Sequence, residues 1–191
     1  NHRDDLNRAP HDYDSHKGEE LQASFEPMGG YCYSLQQPTI LVTDPVYARI
    51  KRLADGKYLL LYQAGSTASN IYYCLSTDLK TWSKAKALFT MKSITSAVGT
   101  DTRKYSSADA CVLSNGDVCV VVSARANTAY RTSPPDNHIM MKRSKDNGAT
   151  WSEEQSIYNG TTWEPFLYET PDHKLQCYFT DTDPNITTHN K

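Results

Sequence analysis

Short apolar runs separated by turn residues dominate the chain, and few segments show a helical period. Residues 58–62 and 118–122 are almost continuous apolar runs, and each follows an Asp-Gly or Asn-Gly turn, at positions 55–56 and 115–116. Asp-Gly and Asn-Gly between apolar runs are strong signals for a β-hairpin, because both central positions need a positive φ. The pattern predicts antiparallel β-structure and leaves an α/β fold without support.

Three segments share one layout, in which an apolar strand, a turn and a second apolar strand follow one another. These segments are residues 47–63, 108–122 and 163–179, so that the turns recur every ~60 residues, a spacing typical of propellers and solenoids. The first two continue with a third strand and a short fourth strand, and four antiparallel strands form one blade of a β-propeller. We therefore predict an all-β fold, a β-propeller of four-stranded antiparallel blades, with about three blades in this chain.

The predicted blade units span about residues 40–90, 105–158 and 162–191, within a partial propeller over residues 36–191. Residues 1–35 are polar and rich in His, Asp and Glu, and we expect an N-terminal arm or the strand that closes the ring. Closed propellers usually have about four to eight blades, and closure removes exposed strand edges. We expect the chain to be part of a five- or six-bladed ring whose remaining blades belong to the same protein.

A polar turn motif follows the third strand of the second unit. Residues 144–151, Ser-Lys-Asp-Asn-Gly-Ala-Thr-Trp, match S-x-D-x-G-x-T-W at every specified position. In such a turn Asp accepts backbone N–H bonds, Gly takes a left-handed conformation, hydroxyl groups close the loop and Trp packs beneath it. Residues 76–82 form a second copy, one residue shorter and without the Gly. The structural residues of the two copies are Ser144, Asp146, Gly148, Thr150, Trp151, Ser76, Asp78 and Trp82.

This motif is an Asp-box, and its recurrence at one place in the blade makes the chain resemble the sialidase superfamily of glycoside hydrolases. Tyr47-Ala48-Arg49-Ile50 is similar to the sialidase motif Phe/Tyr-Arg-Ile-Pro, whose Arg binds the sugar carboxylate, although Lys51 replaces the Pro. The pattern A-R-I-x-R-L-x-D-G-x-Y-L-L with a later Trp-Glu-Pro strand looks closer to the exo-acting arabinanases of that superfamily and their uncharacterised relatives. Asp-boxes lie far from the chemistry, so they indicate the fold rather than the reaction.

The resemblance implies a site at the mouth of the central channel, on the innermost strands and their loops. Glycosidic cleavage needs one carboxyl group that protonates the leaving oxygen and a second that acts as nucleophile or base. Glu164 is the first catalytic candidate, beside Trp163, which would desolvate it or stack on a sugar. Asp109 is the second, because a carboxylate opening an apolar strand is unfavourable unless it is paired or belongs to a site.

Arg49 also opens an inner strand, so we expect Arg49, Asp109 and Glu164 at matching positions of successive units, converging at the channel mouth. A satisfied salt-bridge cluster is the alternative interpretation of these three charges. Arg49 and Trp163 are predicted to bind substrate. Further substrate-binding candidates, placed in loops near the same end, are Asp44, Arg103, Arg125 and Tyr130.

The bulk properties exclude several classes of function. A net charge of −2 gives no electrostatic footprint for nucleic acid. No apolar run approaches the ~20 residues that span a bilayer. The histidines form no HExxH motif and the five cysteines no CxxC pair, so neither a metal nor a cofactor is expected. The cysteines are expected to be free and to serve as small core residues.

These observations favour a glycoside hydrolase, exo-acting on a glycan, with an arabinanase-like activity ahead of a sialidase-like one. Its substrate would be an oligo- or polysaccharide, and its location extracellular or periplasmic, although no signal peptide is visible in the chain. A non-catalytic propeller that binds carbohydrate or protein is the alternative, because a fold alone does not determine a function.

Overall fold

The computed structural model describes residues 45–132 and 134–182. The predicted arm over residues 1–35, Asp44 and Cys32 lie outside the described residues. All of the strands described below fall within one compact unit of the chain.

The first sheet is the four-stranded antiparallel blade that the sequence predicts. Its strands pair in sequence order, so each strand lies next to its neighbours along the chain. The strands are β1 (Pro45–Arg52), β2 (Tyr58–Ala64), β3 (Ile71–Ser76) and β4 (Lys86–Phe89). Gly56 closes the first hairpin at a φ of 86°, as the Asp-Gly turn predicts, whereas the positive φ predicted for Asp55 is wrong.

The second sheet has a strand that the sequence pattern did not reveal. Its five antiparallel strands again pair in chain order. They are β5 (Lys92–Ser96), β6 (Gly99–Val112), β7 (Val118–Ala126), β8 (His138–Ser144) and β9 (Gln155–Asn159). β6 begins at Gly99 rather than near residue 105, and its first half pairs with β5. Because β5 is almost wholly polar, it lacks the apolar alternation by which strands are recognised.

The third sheet consists of two strands within the described residues, β10 (Thr162–Glu169) and β11 (Leu175–Asp181). They form the hairpin predicted around residues 171–173, with His173 in the left-handed region at a φ of 62°. β6 lies between β1 and β10 and contacts both, so one strand from each of the three sheets lies beside the others.

Two hydrophobic cores fill the spaces between the sheets. Leu59 and Leu61 of the first sheet pack against Val118, Val120 and Val122 of the second. Cys119, Val121 and Ile139 project from the opposite side of the second sheet and pack with Leu167 of the third. The alternation of side chains along β7 thus supplies both cores, which explains its nearly continuous apolar sequence.

The four described cysteines are free, as the sequence predicts. Cys74 and Cys119 are buried, whereas Cys111 and Cys177 are half-buried. Burial raises the pKa of the Cys177 thiol to about 11. Among residues 45–132 and 134–182, no helix has the length and apolar character needed to cross a bilayer.

Candidate active site

Each of the three inner strands carries the same irregularity. In β1, β6 and β10, one extra residue is inserted relative to the partner strand, which is the register shift of a β-bulge. The first residue of each bulge has a left-handed backbone, with φ of 52° at Tyr47, 53° at Ser107 and 51° at Glu164. Non-glycine residues rarely take this conformation, and such strain is concentrated at functional sites. The three inner strands therefore have a strained bulge at the same position relative to their hairpins.

A cleft of about 300 Å³ lies at the bulges. Arg49 of β1, Asp109 of β6 and Glu164 of β10 all line it, so the three charged candidates are together as expected. The complete lining consists of Tyr47, Arg49, Lys51, Ser107, Asp109, Glu164, Pro165 and Phe166. The size is at the lower end of the range of about 300–1,000 Å³ typical of small-molecule sites.

Asp109 lies at the wall of this cleft, and both of its carboxylate oxygens have partners. The residue is 5% exposed, and its Oδ2 accepts a hydrogen bond of 2.9 Å from the Leu167 backbone N–H. The Lys51 Nζ lies 3.6 Å from Oδ1. A cation and an N–H donor thus compensate a carboxylate that burial would otherwise disfavour.

Glu164 lies in a different environment from Asp109. Its side chain is exposed, and the Tyr47 hydroxyl donates a hydrogen bond of 3.3 Å to Oε1. Both residues of this pair are first residues of bulges, on β10 and β1, so the two irregular strands bring them together. The Glu164 carboxylate is the one in the cleft that a ligand reaches most directly.

The prediction that the three charged residues occupy equivalent positions in their strands is wrong for Glu164. Arg49 pairs with Leu61 and Asp109 with Val121 just after the bulge, and the residue at that place in β10 is Phe166, which pairs with Tyr178. Glu164 instead corresponds to Tyr47 and Ser107. The bulge reorients its side chain, so that it reaches the same cleft from a position two residues earlier.

A second cavity, of about 320 Å³, lies beside Trp163, the residue before Glu164. Tyr130 and Arg131 line it with Trp163, as do Thr161 and Thr182. The Arg125 guanidinium carbon lies 4.9 Å from the centroid of the Tyr130 ring and 5.1 Å from that of the Trp163 ring. Three predicted substrate-binding residues therefore form one aromatic and cationic cluster.

The chain's similarity to known proteins comes from solved structures, since no protein-family model and no curated protein matches it. The structure of the GH93 α-L-arabinofuranosidase of Fusarium graminearum with arabinobiose matches with a TM-score of 0.54 and 22% identity, over 74% of this chain and 42% of that chain. The chain has a β-propeller fold. An endo-arabinase from Bacteroides thetaiotaomicron VPI-5482 has a TM-score of 0.49 and 17% identity, over 74% of this chain and 55% of that one. The chain spans about half the length of these two proteins.

Two substrate-binding candidates of the propeller lie in strands rather than in the predicted loops. Arg103 is in β6 and Arg125 in β7, because both strands extend beyond the apolar part of the blade. Arg103 is not among the residues that line the cleft. Its charge instead acts on Glu154. Burial raises the pKa of Glu154, but hydrogen bonds from Lys92 and Tyr105, with the nearby positive charges, outweigh burial and lower that pKa.

The polar turns of the blades have the internal hydrogen bonds expected of them. The Ser144 hydroxyl accepts the Gly148 N–H at 2.8 Å, and the Asp146 Oδ1 accepts the Thr150 N–H at 2.8 Å. Hydrogen bonds from Thr150 lower the pKa of Asp146 to about 2. Trp151 packs edge-on against the Tyr73 ring, with 5.7 Å between centroids.

The shorter turn of the first blade works in the same way without a glycine. The Asp78 Oδ1 accepts the backbone N–H groups of Lys80 and Thr81, at 2.8 and 2.7 Å, and these bonds lower its pKa to about 2. Leu79 takes the left-handed conformation in this turn, with a φ of 61°. Trp82 forms a β-bridge with Ser76 that closes it.

Sequence reasoning missed Tyr47, Lys51 and Ser107 as lining residues of the cleft. A signal for the register was present, because Arg49, Asp109 and Phe166 each stand seven residues before the left-handed residue of their hairpin, namely Gly56, Gly116 and His173. The described residues contain no group of three His, Cys, Asp or Glu side chains placed to hold a metal ion.

Proposed function

We propose that the chain is part of a glycoside hydrolase that removes sugars from the end of an arabinan-like glycan at the cleft between β1, β6 and β10. The observation that supports this most is that the carboxyl groups of Glu164 and Asp109 line one cleft of about 300 Å³. Two carboxyl groups flanking a glycosidic bond are the minimum that this chemistry requires. We propose an extracellular or periplasmic location, where such glycans are met.

In this proposal Glu164 is the general acid. It is exposed to an incoming glycan and has a single long hydrogen bond, from Tyr47, so it is free to approach a leaving oxygen. Asp109 is the nucleophile or base, held in one orientation by the Leu167 N–H and the Lys51 ammonium group. Fixed orientation is what an attacking group needs, because positioning lowers the barrier of the reaction.

Arg49 and Trp163 would bind the sugar. Arg49 is exposed at the cleft, and its Nη1 donates to the neighbouring Ala48 carbonyl at 3.0 Å, which leaves its other donors for a ligand. An arabinan-like substrate is supported by two observations. One is the fold likeness to a Fusarium enzyme named as an arabinofuranosidase, and the other is the arabinanase-like sequence pattern around Arg49.

The test is release of sugar from three substrates, which are linear arabinan, a chromogenic α-L-arabinofuranoside and a chromogenic sialoside. We expect arabinose from the first two. Glu164→Gln and Asp109→Asn should each lower the rate by about 10²- to 10⁴-fold, whereas Lys84→Gln, at an exposed position away from the cleft, should leave it unchanged. Release of sialic acid instead would contradict the arabinan proposal.

One observation favours a second candidate, a non-catalytic propeller that binds a carbohydrate. Asp109 is nearly buried, and both of its oxygens face partners within the protein, as a purely structural carboxylate would. Glycan binding with no hydrolysis of any of the three substrates would support this second function. Turnover that both variants leave unchanged would remove Glu164 and Asp109 from catalysis.

A further inference from the structure

The Arg125 guanidinium forms cation–π contacts with two aromatic rings. Its Cζ is 4.9 Å from the Tyr130 centroid and 5.1 Å from the Trp163 centroid. Contacts with two ring faces stabilise a guanidinium in place and do not use its N–H groups as hydrogen-bond donors. These contacts therefore present a fixed cation beside the strand that carries Glu164.

A second cation shares the same tyrosine. The Arg131 Cζ is 5.3 Å from the Tyr130 centroid, and its Nε donates a hydrogen bond of 2.6 Å to the Tyr130 hydroxyl. Within residues 45–132 and 134–182, neither Arg125 nor Arg131 forms an ion pair with an acidic side chain. Both charges near this ring therefore lack a negative partner among these residues, and an anion close to them would be stabilised.

The cavity beside this cluster has few other polar groups to offer. The Thr161 hydroxyl donates to the Tyr130 carbonyl at 3.2 Å, and the Thr182 hydroxyl donates to the Thr161 carbonyl at 3.0 Å. The remaining recognition elements of the lining are the rings of Tyr130 and Trp163 and the guanidinium donors of Arg131, while Arg125 is not a lining residue and contacts the two rings. Ring surfaces suit the apolar face of a sugar, and guanidinium groups pair with a carboxylate through two parallel hydrogen bonds.

We propose that this cavity binds a sugar residue that carries a carboxylate, namely a uronic acid of the glycan whose neighbouring bond lies in the cleft. The proposal rests on the proposed function, because β10 carries lining residues of both places, Trp163 at this cavity and Glu164 at the cleft. It adds a substrate class, an acidic glycan, which a neutral arabinan does not represent. The cavity volume of about 320 Å³ fits a ligand of small-molecule size.

The test compares D-galacturonate with D-galactose by isothermal titration calorimetry, since the two sugars differ only in the carboxylate. We expect galacturonate to bind at least about tenfold more tightly, the smallest effect of a charge-assisted hydrogen bond, and to lose affinity as NaCl is raised. Equal affinities would overturn the proposal. Acetate that binds as tightly as galacturonate would also overturn it, because the rings would then contribute nothing.

Variants assign the binding to the cluster. Arg125→Lys keeps the charge but loses the planar guanidinium group, and Arg131→Gln removes the second charge; each should weaken galacturonate binding by about tenfold. Lys145→Gln removes an exposed cation elsewhere and should leave the affinity unchanged. If Arg125→Lys does not fold, the Arg131→Gln variant provides the test, because Arg131 is exposed. Unchanged affinity for galacturonate in folded Arg131→Gln protein contradicts the assignment.

Failure of this inference can be told apart from failure of the proposed function. Glu164→Gln should keep the affinity for galacturonate while losing turnover, since Glu164 is not among the residues that line the second cavity. Glycan hydrolysis without galacturonate binding would overturn the inference alone. Galacturonate binding in a protein that hydrolyses none of the three substrates would contradict the proposed function and leave the inference standing.

Discussion

Two carboxylates, Asp146 in a polar turn and Glu164 in an inner strand, have opposite surroundings. Asp146 lies in a polar turn and accepts hydrogen bonds from the Ser144 hydroxyl and from the backbone and side chain of Thr150, at 2.5 to 2.8 Å. Glu164 lies on a strained bulge and accepts one hydrogen bond, of 3.3 Å, from Tyr47. A carboxylate satisfied by its own turn stabilises the fold, whereas one left open at a cleft is available to a ligand.

The comparison extends to the backbone. In the polar turn the left-handed residues are Asn147, with a φ of 55°, and Gly148, with a φ of 82°. Asn and Gly tolerate that conformation, so the turn carries little strain. At the cleft the left-handed residues are Tyr47, Ser107 and Glu164, which have no such tolerance. The turns therefore follow local propensity, while the bulges depend on the surrounding sheets.

The largest stability effect is expected from Ser144→Ala in the polar turn. Its hydroxyl accepts the buried Gly148 N–H at 2.8 Å, and loss of a partner for a buried donor costs about 1–3 kcal/mol. Urea unfolding should show this decrease, with turnover per folded molecule unchanged. Ser93→Ala, at an exposed strand position, is the control and should change the free energy of unfolding by less than about 0.5 kcal/mol. Equal effects of the two substitutions would contradict the importance of the turn.

Tyr47→Phe should affect the cleft and not the stability. The lost hydrogen bond to Glu164 is long, so we expect turnover to fall by about 2- to 10-fold, the equivalent of about 0.5–1.5 kcal/mol. Steady-state kinetics should show the decrease in kcat with KM unchanged, since Tyr47 positions Glu164. Tyr58→Phe, on β2 and away from the cleft lining, is the matched control. A lower melting temperature with unchanged kcat would instead assign Tyr47 a structural role.

Ser107→Gly should stabilise the protein, in contrast to glycine elsewhere in a strand. The left-handed φ of 53° costs a non-glycine residue about 1–2 kcal/mol, and glycine loses about 0.5–1 kcal/mol in chain entropy. The expected gain in unfolding free energy is therefore about 0.5–1 kcal/mol. Ser106→Gly, one residue earlier and outside the left-handed region, should be destabilising in the same urea experiment. A loss of stability in both variants would show that the bulge is not strained.

The smallest effect concerns pH and the polar turns. The pKa of Asp146 is lowered from 3.8 to about 2, so its stabilising contribution is complete above pH ~4 and is lost as the pH falls through about 2. The difference in melting temperature between the wild type and Asp146→Asn should be constant above pH 4 and shrink towards pH 2. A difference that persists unchanged at pH 2 would mean that the charge of Asp146 contributes nothing.

Local sequence signals predicted the blades and turns well, because their structure depends on nearby residues. The Asp-Gly turn at residues 55–56 and the motif at residues 144–151 each specify their own geometry through φ preferences and short hydrogen bonds. Arg49, Asp109 and Glu164 were also expected together, and they line one cleft. A repeated layout places equivalent strands side by side and brings Arg49 and Asp109 to matching positions, whereas Glu164 reaches the cleft through its bulge.

The bulges could not be read from residue types. Tyr47, Ser107 and Glu164 share neither size, charge nor β-propensity, although each begins a bulge. The extra residue is specified by the pairing of whole strands, not by any local preference. β5 could not be predicted for the same reason. Its residues are mostly polar, and they form a strand because the first half of β6 pairs with them.

The buried free cysteines can report on the local opening of the structure through their rates of alkylation. Cys119 is 1% exposed in the core between the second and third sheets, so a thiol reagent reaches it only when those sheets separate. Cys74 is buried in the first sheet and is not part of that core. The two thiols would therefore be alkylated at rates that time the opening of different parts of the propeller.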